Sequence, residues 1–187
     1  MLDTPIIRPE MSSEMKLLLE QYPRDAWSSH PGFQEKTQHW LGAHRMFRTV
    51  ASQILTDTES YIDQSMETSE YADRLSYYGN GLVRNLHGHH HWEDHSYFPE
   101  LFAADPRFKA GLDVLEQDHD DLEQFLDDFT TTGNRLIKLT HLDEKQAKET
   151  AFALRDTSET ICSFLTRHLT DEEELAVPII LHHRLRG

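Results

Sequence analysis

The sequence predicts an all-α protein, a four-helix bundle carrying an N-terminal arm. Three observations lead there. Four long segments repeat apolar residues at intervals of three and four, the period of one helix face. No segment alternates with period two over a useful length, so no sheet is expected. Each segment is long enough for several helical turns and the connections are short, which favours side-by-side packing in a bundle.

Residues 1–35 contain Pro5, Pro9, Pro23, Pro31 and Gly32 and read as an irregular arm with a short helix near "MSSEMKLLLEQ". Residues 36–187 make the bundle. The first helix is expected over about residues 33–62, with Trp40, His44, Phe47, Ala51 and Ile54 along its inner stripe. The second runs over about residues 69–102. It places Tyr71, Leu75, Tyr78, Leu82, Leu86, His89, Glu93 and Tyr97 on one side, and Gly79 and Gly81 predict a kink or break near "YYGNG". The third covers about residues 106–139. It enters at "DPRF", an acid before a proline, and "TTTGN" is expected to interrupt it after Phe129. Its stripe is Leu112, Leu115, His119, Leu122, Leu126 and Phe129. The fourth starts at about residue 143, with Ala147, Ala151, Leu154, Ser158, Ile161, Leu165, His168, Glu172 and Leu175 inward.

Composition removes several classes of function. The formal net charge of −15 repels phosphate backbones, so nucleic acid is not an expected partner. No apolar stretch approaches the length of a membrane span. The opening "MLDTPIIRPEMSSEMKLLLEQ" lacks the basic-then-apolar design of a secretory signal. Cys162 is the only cysteine, which excludes an internal disulfide and a CxxC metal or redox site. A cytoplasmic setting is the expectation. Nothing in the sequence points to a particular protein partner.

The 13 histidines carry the information, through their positions. His44, His89, His119 and His168 each fall on the core-facing stripe of a different helix. One such histidine is usually a core residue bonded locally, but four, one per helix, are not independent accidents. The chain also repeats itself. "HHHWEDHSYFPELF" at residues 89–102 and "HLTDEEELAVPIIL" at residues 168–181 both read H-x-x-x-E-x-x-x-x-x-P followed by apolar residues. His44 and His119 match in the same way, one in each half. The chain therefore reads as two helical hairpins, each offering one His and one His-x-x-x-Glu.

Residues four apart lie on one helix face, about one turn from each other. A histidine and a glutamate so placed both reach a metal on the bundle axis. The chain supplies four imidazoles, His44, His89, His119 and His168, and two carboxylates, Glu93 and Glu172. A single zinc needs only four ligands. Six ligands with carboxylates able to bridge fit two metals, and imidazole with carboxylate suits iron, with manganese second and zinc behind it. Two ionised glutamates inside an apolar bundle would each be costly to bury, and bound cations would offset that cost. Asp171, Glu173 and Glu174 read as a solvated acidic face. His90 lies beside the ligand face and is a candidate fifth imidazole. His87, His91 and His95 fall on the solvent side. Asp94 and Asp118 are candidates to hold ligand histidines by their other ring nitrogen. Tyr97 either lines the pocket or is a core tyrosine.

In the order His44, His89-x-x-x-Glu93, His119, His168-x-x-x-Glu172, over about residues 37–182, the sequence resembles the hemerythrin-like family, the HHE cation-binding domain. The resemblance implies an up-down-up-down bundle around a non-haem di-iron centre. The four histidines would be terminal ligands, and Glu93 and Glu172 would bridge two iron ions. It implies binding of dioxygen or another small diatomic or peroxide ligand, with oxygen or iron sensing or oxidative-stress protection as the role. The family's oxygen carriers have a second histidine one turn after the helix-three histidine, where this chain has Glu123, itself a possible additional ligand. They also place an aspartate five residues after the last histidine, where this chain has Glu173. Both departures point away from a dedicated oxygen carrier. Two other metal readings are a store or carrier of divalent metal without redox turnover and a ferritin-like di-iron oxidase. The second requires two Glu-x-x-His motifs, and only "EQDH" at residues 116–119 is present. A plain helical interaction module with incidental histidines is the non-metal alternative.

Overall fold

The computed structural model describes residues 11–185 and is all-helical, with no strand among them. The three-four spacing becomes four long helices. α1 is Glu35–Ile62 and α2 is Thr68–Trp92. A π-helical turn, Glu93–Tyr97, then leads directly into the short α3, Phe98–Ala104. A 3₁₀ turn, Pro106–Phe108, precedes α4, Lys109–Leu142, and α5 is Glu144–His183. Asp105 and Asp143 cap the last two entrances by accepting from Arg107 N–H and Gln146 N–H. α1 packs beside α2 and α5, and α4 beside α2 and α5. The four long helices thus form a bundle in which each touches two neighbours.

Three expectations need correction. α2 runs unbroken through Gly79 and Gly81. Gly79 serves close approach instead, because a Cβ there would stand 3.2 Å from the Phe129 ring of α4. The irregularity falls later, where the Phe98 N–H reaches back to the Glu93 carbonyl. Pro99 follows at once, and its missing N–H disrupts the α-helical ladder there. α4 also continues through "TTTGN" to Leu142, with Gly133 buried facing Leu154. The described part of the arm holds turns over residues 13–21 and a 3₁₀ helix, Arg24–Ser29, in place of the expected α-helix; Pro5 and Pro9 lie outside the described residues.

Two apolar cores result. One joins Phe47, Leu82, Leu86, Leu122, Leu126, Leu154 and Leu165. The other joins Trp40, Tyr97, Phe98, Leu115 and Leu175 to Met11, Leu18 and Trp27 of the arm. His44, His90, Glu93, His119 and Glu172 fall between these cores. His44 lies between Trp40 and Phe47, His90 and Glu93 between Leu86 and Tyr97, His119 between Leu115 and Leu122, and Glu172 between Leu165 and Leu175.

Candidate metal centre

The polar layer brings six expected side chains together. His44, Glu93, His168 and Glu172 are fully buried, His119 nearly so, and His89 is only slightly open. Each carboxylate turns one oxygen to each of two imidazole groups. Glu93 Oε1 is 3.0 Å from His89 Nε2 and 3.8 Å from His44 Nε2, and its Oε2 is 3.7 Å from His119 Nε2. Glu172 Oε2 is 3.6 Å from His44 Nε2, while its Oε1 is 3.4 Å from His119 Nε2 and 3.5 Å from His168 Nε2. The i,i+4 relation aligns the two His–Glu pairs, and α1 and α4 supply the facing imidazoles.

His90 belongs to the same layer. It is buried, stacked on His119 with ring centroids 4.0 Å apart, and forms with His119 and His168 a triad whose ligand atoms lie within 4.8 Å of one another. His44, His89 and Glu93 form a second such triad, and Glu93, His119 and Glu172 a third. Burial, then the neighbouring His119 and His168, push the His90 pKa well down, so its ring is neutral. Glu123 is placed elsewhere, half-exposed on α4 and 3.0 Å from His87. His91 and His95 are exposed, with rings 4.1 Å apart.

The outer nitrogens are held by carboxylates. His44 Nδ1 is 3.1 Å from Glu173, His119 Nδ1 2.7 Å from Asp94, and His168 Nδ1 3.1 Å from Asp118. Each contact fixes a ring and aims its Nε2 inward. Trp40 Nε1–H donates to Glu93 Oε1 at 2.6 Å. Burial works against protonating His44, but Glu173, Glu93 and Glu172 outweigh it and push its pKa up to about 9. Burial opposes His119 in the same way, and Asp94, Glu172 and Glu93 push it up to about 10. Glu93 is held well below the usual carboxylate range, since His44 and His89 outweigh its burial. Burial, with Glu93 and Glu172, pushes the Tyr97 phenol well up, so it stays a protonated donor.

The acidic run departs from its expected solvated role. Asp171 and Glu173 are buried, and Glu174 is half-buried. The arm covers them. Lys16 reaches Asp171 at 3.1 Å and Glu174 at 2.7 Å, and Arg24 pairs with Glu173. Arg48, one turn beyond His44, also meets Glu173, at 2.8 Å. Against its burial, His44, Arg24 and Arg48 hold Glu173 down at about 2. The His44-to-Arg48 spacing was the one sequence signal that could have exposed this network.

The donor set fits metal ions by a direct test. Several buried polar atoms here have no hydrogen-bond partner among the described residues: His168 Nε2, Glu93 Oε2, Glu172 Oε2 and both ring nitrogens of His90. Such atoms are penalised unless something fills the space between them. Imidazole nitrogens and carboxylate oxygens converging on one space are the ligands of a cation. No helix among the described residues is long and apolar enough to cross a membrane. Residues 35–180 match the family model of the hemerythrin HHE cation binding domain. No curated protein and no solved structure matches the chain.

Proposed function

The chain belongs to the hemerythrin HHE cation-binding family, and from that premise we propose that its buried layer holds a non-haem di-iron centre that takes up dioxygen or a related diatomic or peroxide ligand. One observation carries the reading: Glu93 and Glu172 each turn one oxygen toward His44 and the other toward His119. That is the disposition of two carboxylates shared between two ions. His44 and His89 would hold one iron, and His90, His119 and His168 the other. His90 then takes the place of the imidazole that the family's oxygen carriers draw from the position of Glu123. The ligand number exceeds what a four-coordinate zinc uses, and the nitrogen–oxygen donor set suits iron, then manganese.

Bound there, two irons would supply electrons and exchangeable positions to a small oxygen ligand. The protein's own part is orientation and exclusion of water. Glu173, Asp94 and Asp118 fix three imidazoles, Trp40 fixes Glu93, and the two apolar cores close the layer from both sides. We read residues 36–187 as the binding unit, with the arm as its cover and the helices running up-down-up-down. The short α1–α2 and α4–α5 connections and the side-by-side packing of those pairs support that order. Oxygen or iron sensing, or protection from oxidants, in the cytoplasm is the role this chemistry suits.

The test is metal content and the optical spectrum of protein purified from iron-containing medium, with and without oxygen. Two irons per chain, with charge-transfer bands that change on reduction, are expected. One zinc and no visible absorption would refute the reading. Two divalent ions with an oxygen-insensitive spectrum would favour storage or delivery.

A further inference from the structure

We infer that the Tyr97 hydroxyl is the protein's hydrogen-bond donor to the small anionic ligand taken up by the centre, an inference that rests on the di-iron reading above. Tyr97 closes the π turn that Glu93 opens, and it is 2% exposed. Its hydroxyl is buried without a partner among the described residues. The contrast with Tyr71 is direct, since that buried hydroxyl pairs with Thr58 at 3.0 Å. A buried phenol O–H left unpaired is penalised, so an acceptor other than the described residues is the expected remedy.

The hydroxyl is not free to find that acceptor in bulk water. The Tyr97 ring is stacked on Trp92 at 4.8 Å and lies 5.3 Å from Trp40. Trp40 is itself tied to Glu93 through its Nε1–H. The carboxylates whose charge Tyr97 feels most are Glu93 and Glu172, the two shared across the layer. Glu93 Oε1 already receives Trp40 and faces His89, and its Oε2 faces His119. A protonated donor is thus left buried and unpaired beside Trp40, which itself touches His44 and Glu93 of the layer. An anion there gains most, because a charged acceptor strengthens the bond.

The probe is azide, titrated by absorption into the iron-loaded full chain. Tyr97→Phe is expected to keep two irons per chain and to bind azide about tenfold more weakly, the loss of one hydrogen bond to a charged acceptor. Metal-free Tyr97→Phe is expected to unfold at the same or a higher temperature than the metal-free parent, because it removes an unsatisfied group. Tyr71→Phe is expected to leave azide affinity unchanged. Equal azide affinity in Tyr97→Phe and the parent would overturn the inference. So would a metal-free Tyr97→Phe that melts several degrees lower, which would mean the hydroxyl is satisfied within the chain. A phenolate-to-iron band lost in Tyr97→Phe would also overturn it, making Tyr97 a ligand and not a donor. A parent protein without two irons would sink the di-iron reading itself, whereas two irons with unchanged azide binding sinks only the role of Tyr97.

Discussion

Adding divalent metal to the metal-free protein should release about two protons per chain at pH 7.5. The imidazoles of His44 and His119, at about 9 and about 10, are almost fully protonated at that pH. Metal at Nε2 must displace one proton from each. His90 is already neutral and adds none. Five imidazoles all at the ordinary value would together release only about half a proton. The apparent metal affinity should therefore climb by up to about 100-fold per pH unit, flattening as the pH nears that of the His44 imidazole. Calorimetric titration with ferrous or manganous ion, without oxygen, in buffers of low and high ionisation enthalpy counts the protons. Glu173→Gln removes the first carboxylate that raises His44, so its proton count should drop toward one. The sign for folding is opposite. Raised imidazole pKa values stabilise the metal-free fold fully below about pH 6.5, and that contribution is lost as pH rises through 9 and 10. The metal-free protein should melt lower across that window, while the metal affinity improves. Release of half a proton or less, or a metal-free melting temperature that rises over the same window, would refute the reasoning.

His90→Ala and His168→Ala should each lower iron content, while His95→Ala and Glu123→Ala should not. Equal effects of His168→Ala and His95→Ala on elemental analysis would mean that the ligand face is misplaced. Gly81→Ala should stabilise the fold by up to about 1 kcal/mol in urea unfolding, because a Cβ there meets nothing within 4 Å and helix propensity improves. Gly79→Ala should forfeit that gain, because its Cβ would press on the buried Phe129 ring at 3.2 Å. Leu154→Ala, fully buried in the core away from the arm, should cost about 2–5 kcal/mol and leave iron content per folded chain unchanged.

The helices and the convergence of His44, His89, Glu93, His119, His168 and Glu172 were legible because the long helices fix phase. A residue three or four places from a buried Leu or Phe is carried to the same axis, and a repeated His-x-x-x-Glu marks the turn. What escaped the sequence depended on contacts made at a distance. A one-sided stripe leaves Asp171 and Glu173 facing outward, and on an isolated α5 they would be solvated. They are buried because Lys16, Arg24 and Arg48 arrive from residues more than a hundred places away in the chain. The breaks expected at "YYGNG" and "TTTGN" failed for a related reason. The buried glycines of these two stretches, Gly79 against the Phe129 ring and Gly133 facing Leu154, lie on packed helix faces, and tertiary packing there outweighs the weak helix propensity of glycine.

The departures from the repeat carry the functional content. α5 offers His168 and then Leu169, which joins the apolar core, and it stays helical through Pro178. α2 offers His89 and then His90, and it inserts a π turn before Pro99. Two equivalent hairpins would give each ion of a pair the same nitrogen donors. With two ions bound, the extra imidazole would make the division three against two, with His90, His119 and His168 on one side and His44 and His89 on the other. On the di-iron reading, the poorer side would keep the exchangeable position. Trp40 packs against His44 and also against Tyr97, so the turn that breaks the repeat sets its last side chain one ring away from the two-imidazole side, where a ligand would find room if two ions were bound.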